Sequence, residues 1–157
     1  MATIKALVAE AYASQTTVAF TTAENVTAGI AISTSVKSNR SGGASVAADV
    51  AVVALAGDKV AATVIDSIEQ TLAIENGALV AAELSPSKTE LGDNYTMPAG
   101  SWTSQAKAFA ASTVGKTAAE LAELEVVSDA LAAAGCTMQN TTAGYKATII
   151  KAAGYAR

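Results

Sequence analysis

From residue 26 onward the chain alternates between two kinds of side chain with a period of two. Larger apolar residues such as Ile30 and Ile32 recur at every second position, and Thr, Ser, Gly or Ala fills the positions between them. This period is typical of a β-strand, because successive side chains point to opposite faces of a sheet. The alternation resumes at 46–54 and again at 60–64, which predicts three successive strands.

Short turn sequences separate these strands. Gly57-Asp58 lies between the second and third strands, and Asn76-Gly77 separates two apolar runs further along the chain. Such dipeptides favour the backbone conformations that tight two-residue hairpins require. A looser break, NRSGG at 39–43, joins the first two strands. The first half of the chain is therefore predicted to form an antiparallel meander.

After residue 100 the period changes to 3.6 residues, which is typical of helices. Trp102 and Phe109 fall on one face of a predicted helix at 101–113, which Gly115 ends. Further helices are predicted at 118–124, 128–135 and 142–153, with a brief strand at 136–140. Strands first and helices later predict an α+β fold. We expect a mainly antiparallel sheet, a meander of hairpins, with three or four short helices packed on one face.

The composition excludes several kinds of chemistry. The chain has no histidine, and its single cysteine, Cys136, is predicted to be a small core residue. The commonest general base and the commonest transition-metal ligand are therefore missing, and an internal disulfide is impossible. We expect no catalytic site, no metal site and a protein that is not an enzyme.

The charge pattern limits the partners. The net charge is −4 and the basic residues are scattered, so no basic patch is available to neutralise nucleic-acid phosphates. No stretch approaches the ~18–20 apolar residues of a transmembrane helix. We expect neither nucleic-acid binding nor a transmembrane segment.

Four segments in order resemble a known group of proteins. They are DKVAATVIDSIEQT (58–71), KTELGDNYTM (88–97), SWTSQAKAFAASTVGKTAAEL (101–121) and TAGYKATIIKAA (142–153). Together they resemble the small secreted lipoproteins of clostridial bacteria that are classed as FMN-binding-domain-like, over residues of about 26–153. The resemblance implies an FMN-binding-like α+β domain at 26–157, preceded by an N-terminal extension at 1–25.

The resemblance places KTELGDNYTM at the crossover from the sheet to the helices, with a turn at 92–94. Two interpretations of this segment stay open. In one it is a local hydrogen-bonded clasp. In the other, Glu90, Asp93 and Tyr95 line a ligand pocket. The resemblance also places Asp66 beside this loop, where it can form a small polar site with Asp93.

The resemblance also raises the question of a flavin. The Ser-Gly-Ala-Thr run of covalent flavin domains has no match here, so covalent attachment does not carry over. Non-covalent binding of FMN would need an apolar, often aromatic slot and a cation near the phosphate. The candidate side chains are Tyr95, Trp102, Lys116 and Tyr145. We expect no cofactor, with non-covalent FMN as the alternative.

The N-terminal extension shows two patterns of its own. Apolar residues at helical spacing predict a short amphipathic helix at 4–14, and TTVAFTT (16–22) predicts a strand, with a turn at 23–25. The strand can pair with a sheet edge, in its own subunit or in a neighbour. The residues assigned to assembly are Thr17, Val18, Ala19 and Phe20.

The surface composition also points to association. The chain is 51% hydrophobic but only 15% charged, which is typical of subunits that pack against each other. An alanine-rich usage in the source organism explains these values equally well. We expect a structural protein that self-assembles into a filament, tube or layer. The alternative is a redox module that binds a flavin or another small ligand. The expected location is extracellular or at the cell surface if a signal peptide precedes the chain, and cytoplasmic otherwise.

Overall fold

The fold is seen in a computed structural model. It describes residues 26–38, 43–80, 83–97, 100–126, 129–138 and 142–157. The predicted N-terminal helix, strand and turn lie outside the described residues, and so do Thr17, Val18, Ala19 and Phe20. Most of the predicted loop at 39–43 also lies outside them.

Three long antiparallel strands form the sheet. They are β1 (Val26–Ser38), β2 (Ala44–Ala56) and β3 (Lys59–Glu75), and a short β4 (Ala78–Val80) pairs with the end of β3. The strand order follows the chain, β1-β2-β3-β4. The predicted meander and the α+β class are therefore confirmed.

The two predicted hairpin turns are present. Asn76 and Gly77 both have positive φ angles, 52° and 79°, as expected for the two central residues of a type I′ turn. Gly57 also has a positive φ of 65° between β2 and β3. These turns set the register of the sheet, because a two-residue connection leaves little freedom in how the strands align.

The second half of the described chain is mainly helical. Its elements are α1 (Lys88–Leu91), a 3-10 turn (Gly92–Asn94), a small hairpin of β5 (Thr96–Met97) and β6 (Gly100–Ser101), α2 (Trp102–Thr113), α3 (Ala118–Ala122), α4 (Asp129–Ala133) and α5 (Thr142–Gly154). The predicted strand at 136–140 is wrong in its described part. The Cys136 N–H instead bonds to the Leu131 carbonyl at 2.8 Å, which ends α4.

The main helices cover one side of the sheet, called here the inner face. α5 lies over β1 and β2, and α2 lies over β3. The helices supply the large buried side chains of the core, Trp102, Phe109 and Tyr145. Under α5, the sheet supplies small ones such as Ala31 and Ala51, and β3 supplies Val60 and Ile65. Large helix residues and small sheet residues together fill the space between the two layers.

α5 approaches β1 closely at Gly29. A Cβ atom at this position would overlap the Ala152 carbonyl oxygen and would lie 2.7 Å from the Ala156 nitrogen. Only a glycine leaves room for the helix backbone here. The end of α5 is thereby held directly against the strand.

Candidate functional site

A cluster of polar and aromatic side chains joins the sheet to the helices. Lys88, the first residue of α1, is only 8% exposed. Its Nζ lies 5.1 Å from the centre of the Tyr95 ring, which is within the range of a cation–π contact. It also hydrogen bonds with the Tyr145 side chain from α5. We call Lys88, Tyr95, Trp102 and Tyr145 the aromatic cluster.

Lys88 is charged inside this cluster. Burial alone would lower the pKa of its ammonium, but Tyr145, Tyr95 and Glu69 outweigh burial and raise that pKa above its ordinary value. Burial also raises the pKa of the Tyr145 hydroxyl, and the neighbouring Lys88 and Ser67 offset only part of this. The cluster therefore pairs a cationic lysine with a neutral tyrosine at physiological pH.

Two of the predicted pocket carboxylates cap backbone groups. One oxygen of Asp66 accepts hydrogen bonds from the N–H groups of Ser67 and Thr89, at 2.7 and 3.1 Å. Glu90 accepts from the Ser87 N–H at 2.8 Å and completes a capping box at the start of α1. These contacts support the clasp interpretation of KTELGDNYTM.

The remaining pocket residue stands apart from these contacts. Asp93 lies in the 3-10 turn and is exposed. Tyr95 and Met97, which follow it, are half-buried and pack against the hydrophobic core. The turn is thus attached to the core by its apolar residues, while Asp93 faces solvent.

Three of the four predicted flavin residues come together. Trp102 and Tyr145 meet edge to face, with ring centres 6.1 Å apart, and Tyr95 joins them through Lys88. Lys116 does not join them. It lies beyond the C-terminal end of α2, whereas Trp102 is the first residue of that helix. A 12-residue helix is about 18 Å long. Trp102 and Tyr145 are each 1% exposed, so their rings are covered by protein.

Gln105 is a buried polar residue that the sequence reasoning missed. Its Oε1 accepts hydrogen bonds from both the N–H and the hydroxyl of Thr137, each at 2.9 Å. These bonds hold the segment after α4 against α2. Its position on the same helical face as Trp102 and Phe109 could have indicated its burial. Cys136 lies in this segment and is buried as predicted, which raises the pKa of its thiol.

The side of the sheet away from the helices, called the outer face, carries the larger apolar side chains. Ile30 and Ile32 of β1 stand beside Val52 and Val50 of β2, and Val64 of β3 continues the first row. Four large side chains on this face are strongly exposed: Ile30 45%, Ile32 53%, Val36 70% and Ile68 41%. Within the described part of the chain, the outer face is apolar and exposed along β1, while Asp66 and Gln70 on the β3 side of this face accept hydrogen bonds from Thr89 and Ser85.

The edge of β1 is partly occupied. In the described residues β1 pairs with β2 on one side only. On its other side the Ala28 carbonyl accepts from the Arg157 N–H at 3.3 Å. The Ile32 carbonyl accepts from the Lys151 ammonium at 2.8 Å. The end of α5 therefore closes the edge of β1 as far as residue 32.

We expect the Lys88→Met variant to lower the free energy of unfolding by about 1–2 kcal/mol at neutral pH. The substitution removes the cation–π contact and leaves the buried Tyr145 hydroxyl without this partner. Urea unfolding would measure this loss. The control is Lys116→Met at a half-buried lysine, for which we expect a change below about 0.5 kcal/mol.

The pH dependence follows from the raised pKa of Lys88. Its stabilising contribution is fully present below the ordinary lysine pKa of about 10.4 and is lost as the pH rises through the folded-state pKa. The difference in the free energy of unfolding between the wild type and Lys88→Met should therefore become smaller only in strongly alkaline solution. A difference that is already absent at neutral pH would contradict a role for the ammonium.

The described residues hold no group of three or more Cys, Asp or Glu side chains placed to bind a metal ion. Of the helices in the described ranges, none is both long enough and apolar enough to cross a membrane. Neither result identifies a function.

Comparisons with known proteins give no relative. No family model, no curated protein and no solved structure matches this chain. The resemblance to FMN-binding-like lipoproteins therefore stays a prediction from the sequence.

Proposed function

We propose that this chain is a non-enzymatic structural subunit, extracellular or at the cell surface, that self-assembles into a filament, tube or layer. The observation that carries the proposal is the outer face. It places four strongly exposed Ile and Val side chains on one surface of the sheet. Contiguous apolar surfaces of this kind are typical of sites that are covered by a partner.

The outer face alone would support only weak association. Covering a fully exposed Ile or Val stabilises by ~1.5–3 kcal/mol. For four side chains that are about half exposed, the gain is roughly 3–6 kcal/mol. Association costs ~4–15 kcal/mol in lost freedom of motion. A stable assembly therefore needs a second contact, and the N-terminal extension is our candidate for it.

A contact between an extension on one copy and a receiving surface on another joins two different surfaces. Such heterologous contacts form rings if the rotation closes, and helical filaments if it does not. An assembly of this kind needs no catalytic chemistry. It needs a stable domain, an exposed receiving surface and a segment that can leave its own subunit.

Deletion of residues 1–24 is expected to abolish assembly and to leave the domain folded. The deleted segment precedes β1, and the core residues of the described domain all follow it. Negative-stain electron microscopy would show regular filaments, tubes or layers for the full chain and only small particles for the truncated one. Circular dichroism and thermal unfolding of the truncated chain are the control for folding. Assembly that survives the deletion would exclude the extension as the connecting element.

A non-covalent flavin or small-ligand module is the second candidate. The contacts of the Lys88 ammonium with Tyr95 and Tyr145, and of the Tyr145 ring with Trp102, are the observations in its favour. The burial of Trp102 and Tyr145 counts against it, because a flavin ring could stack on them only after displacing other side chains. A flavin absorbance that co-purifies with the protein would favour this candidate over the structural one.

A further inference from the structure

The edge of β1 consists of a closed part and an open part. Backbone and side-chain donors from the end of α5 occupy the carbonyls of Ala28 and Ile32. Residues 34–38 are exposed, and no described element pairs with them on that side. An exposed strand edge presents unpaired N–H and C=O groups, to which another extended segment can add as a strand.

In its own subunit, the predicted strand at 16–22 would pair with the closed part of this edge. A hairpin with the predicted turn at 23–25 places residue 22 opposite residue 26 and residue 16 opposite residue 32. In that part of β1 the Ala28 and Ile32 carbonyls already accept hydrogen bonds from Arg157 and Lys151. Residues 34–38 lie beyond the end of such a hairpin.

We propose that residues 16–22 of one copy add as a strand to residues 34–38 at the edge of β1 in a second copy. This inference rests on the self-assembly proposed above and specifies its contact. The segment TTVAFTT contains β-branched and aromatic residues and no Gly, Pro or charge, which suits an added strand. Each copy would donate one strand and receive one, so that the contact repeats from copy to copy.

Disulfide cross-linking between two separately prepared proteins tests this contact. Both carry Cys136→Ala, so that the only thiols are the introduced ones. One protein carries Val36→Cys, and the other carries Val18→Cys, Ala19→Cys or Phe20→Cys in turn. A disulfide needs Cα atoms about 4.4–6.8 Å apart, so a covalent dimer should form with the position that lies opposite residue 36. It should appear only when the two proteins are mixed before oxidation.

The matched control tests pairing within one subunit. A three-residue turn at 23–25 would place residue 18 opposite residue 30 of the same chain. The single chain with Val18→Cys and Ile30→Cys is therefore expected to form no internal disulfide. Efficient closure within the monomer would overturn the inference.

Electron microscopy of the same samples separates the two proposals. Assembly accompanied by the mixed dimer supports both. Assembly without a cross-link from any of the three positions overturns the strand contact and leaves self-assembly standing. If the wild-type chain does not assemble, both proposals fail.

Discussion

The Gly29→Ala variant is expected to lose about 3 kcal/mol or more of its free energy of unfolding. The new methyl group would overlap the Ala152 carbonyl oxygen and would lie 2.7 Å from the Ala156 nitrogen. Both are backbone atoms of the chain at the end of α5, so neither can rotate away as a side chain could. Overpacking in a core costs typically ~1–3 kcal/mol, and a clash with backbone lies at the upper end or beyond.

The loss would extend beyond the site of the clash. Moving the end of α5 away from β1 would also weaken the bonds from Lys151 and Arg157 to the strand edge. It would open contacts of Ala152 and Ala153 in the core. For a protein of this size, 3 kcal/mol corresponds to a fall in melting temperature of roughly 6–12 °C, which differential scanning calorimetry measures directly.

Gly154→Ala is the matched control. Gly154 is the last residue of α5, and a Cβ there would meet no atom within 4 Å. Alanine is favoured over glycine in a helix, so this variant is expected to be unchanged or stabilised by up to ~1 kcal/mol. If Gly29→Ala unfolds at the wild-type temperature, α5 does not lie directly on β1.

Local patterns predicted the hairpins and the helices. Asn76-Gly77 and Gly57-Asp58 indicated the turn positions, because few other residues adopt the positive φ angles of Asn76, Gly77 and Gly57 at low cost. The last helix was also predicted, at 142–153, and α5 spans Thr142–Gly154. These features depend on neighbours a few positions apart in the chain, which a single sequence contains.

The assignment of the two sheet faces could not be obtained in this way. Apart from Lys37 and Asp49, both sets of alternating residues in 26–38 and 44–56 are apolar or small, so alternation alone does not say which set meets the helices. Which set is buried depends on the volume of the side chains that α2 and α5 place against the sheet. Trp102, Phe109 and Tyr145 of the helices share the core with Ala31 and Ala51, whereas Ile30 and Ile32 are exposed on the other face.

The polar segment at 88–97 was predicted only as a choice between a clasp and a pocket. The contacts that support the clasp join Asp66 to Thr89 across 23 positions, and Lys88 of α1 to Tyr145 of α5. No local pattern specifies such pairs. The same holds for the closed edge of β1, since Lys151 reaches Ile32 across 119 positions.

The Ile32→Glu variant is expected to raise the protein concentration needed for assembly by at least about tenfold. Tenfold in affinity corresponds to ~1.4 kcal/mol, and the lost burial of a half-exposed isoleucine approaches this value by itself. A carboxylate that must be covered by a neighbour adds a desolvation cost. Light scattering over a series of protein concentrations would measure the shift.

Ala111→Glu provides the comparison. Ala111 is exposed like Ile32, but it lies on α2, away from both the outer face and the edge of β1. Both variants leave the β1 backbone edge in place and add the same charge, so only the outer face distinguishes them. We expect Ala111→Glu to change the assembly concentration by about twofold or less. Equal behaviour of the two variants would show that the outer face stays uncovered in the assembly, and the contacts would then have to lie at the strand edge alone.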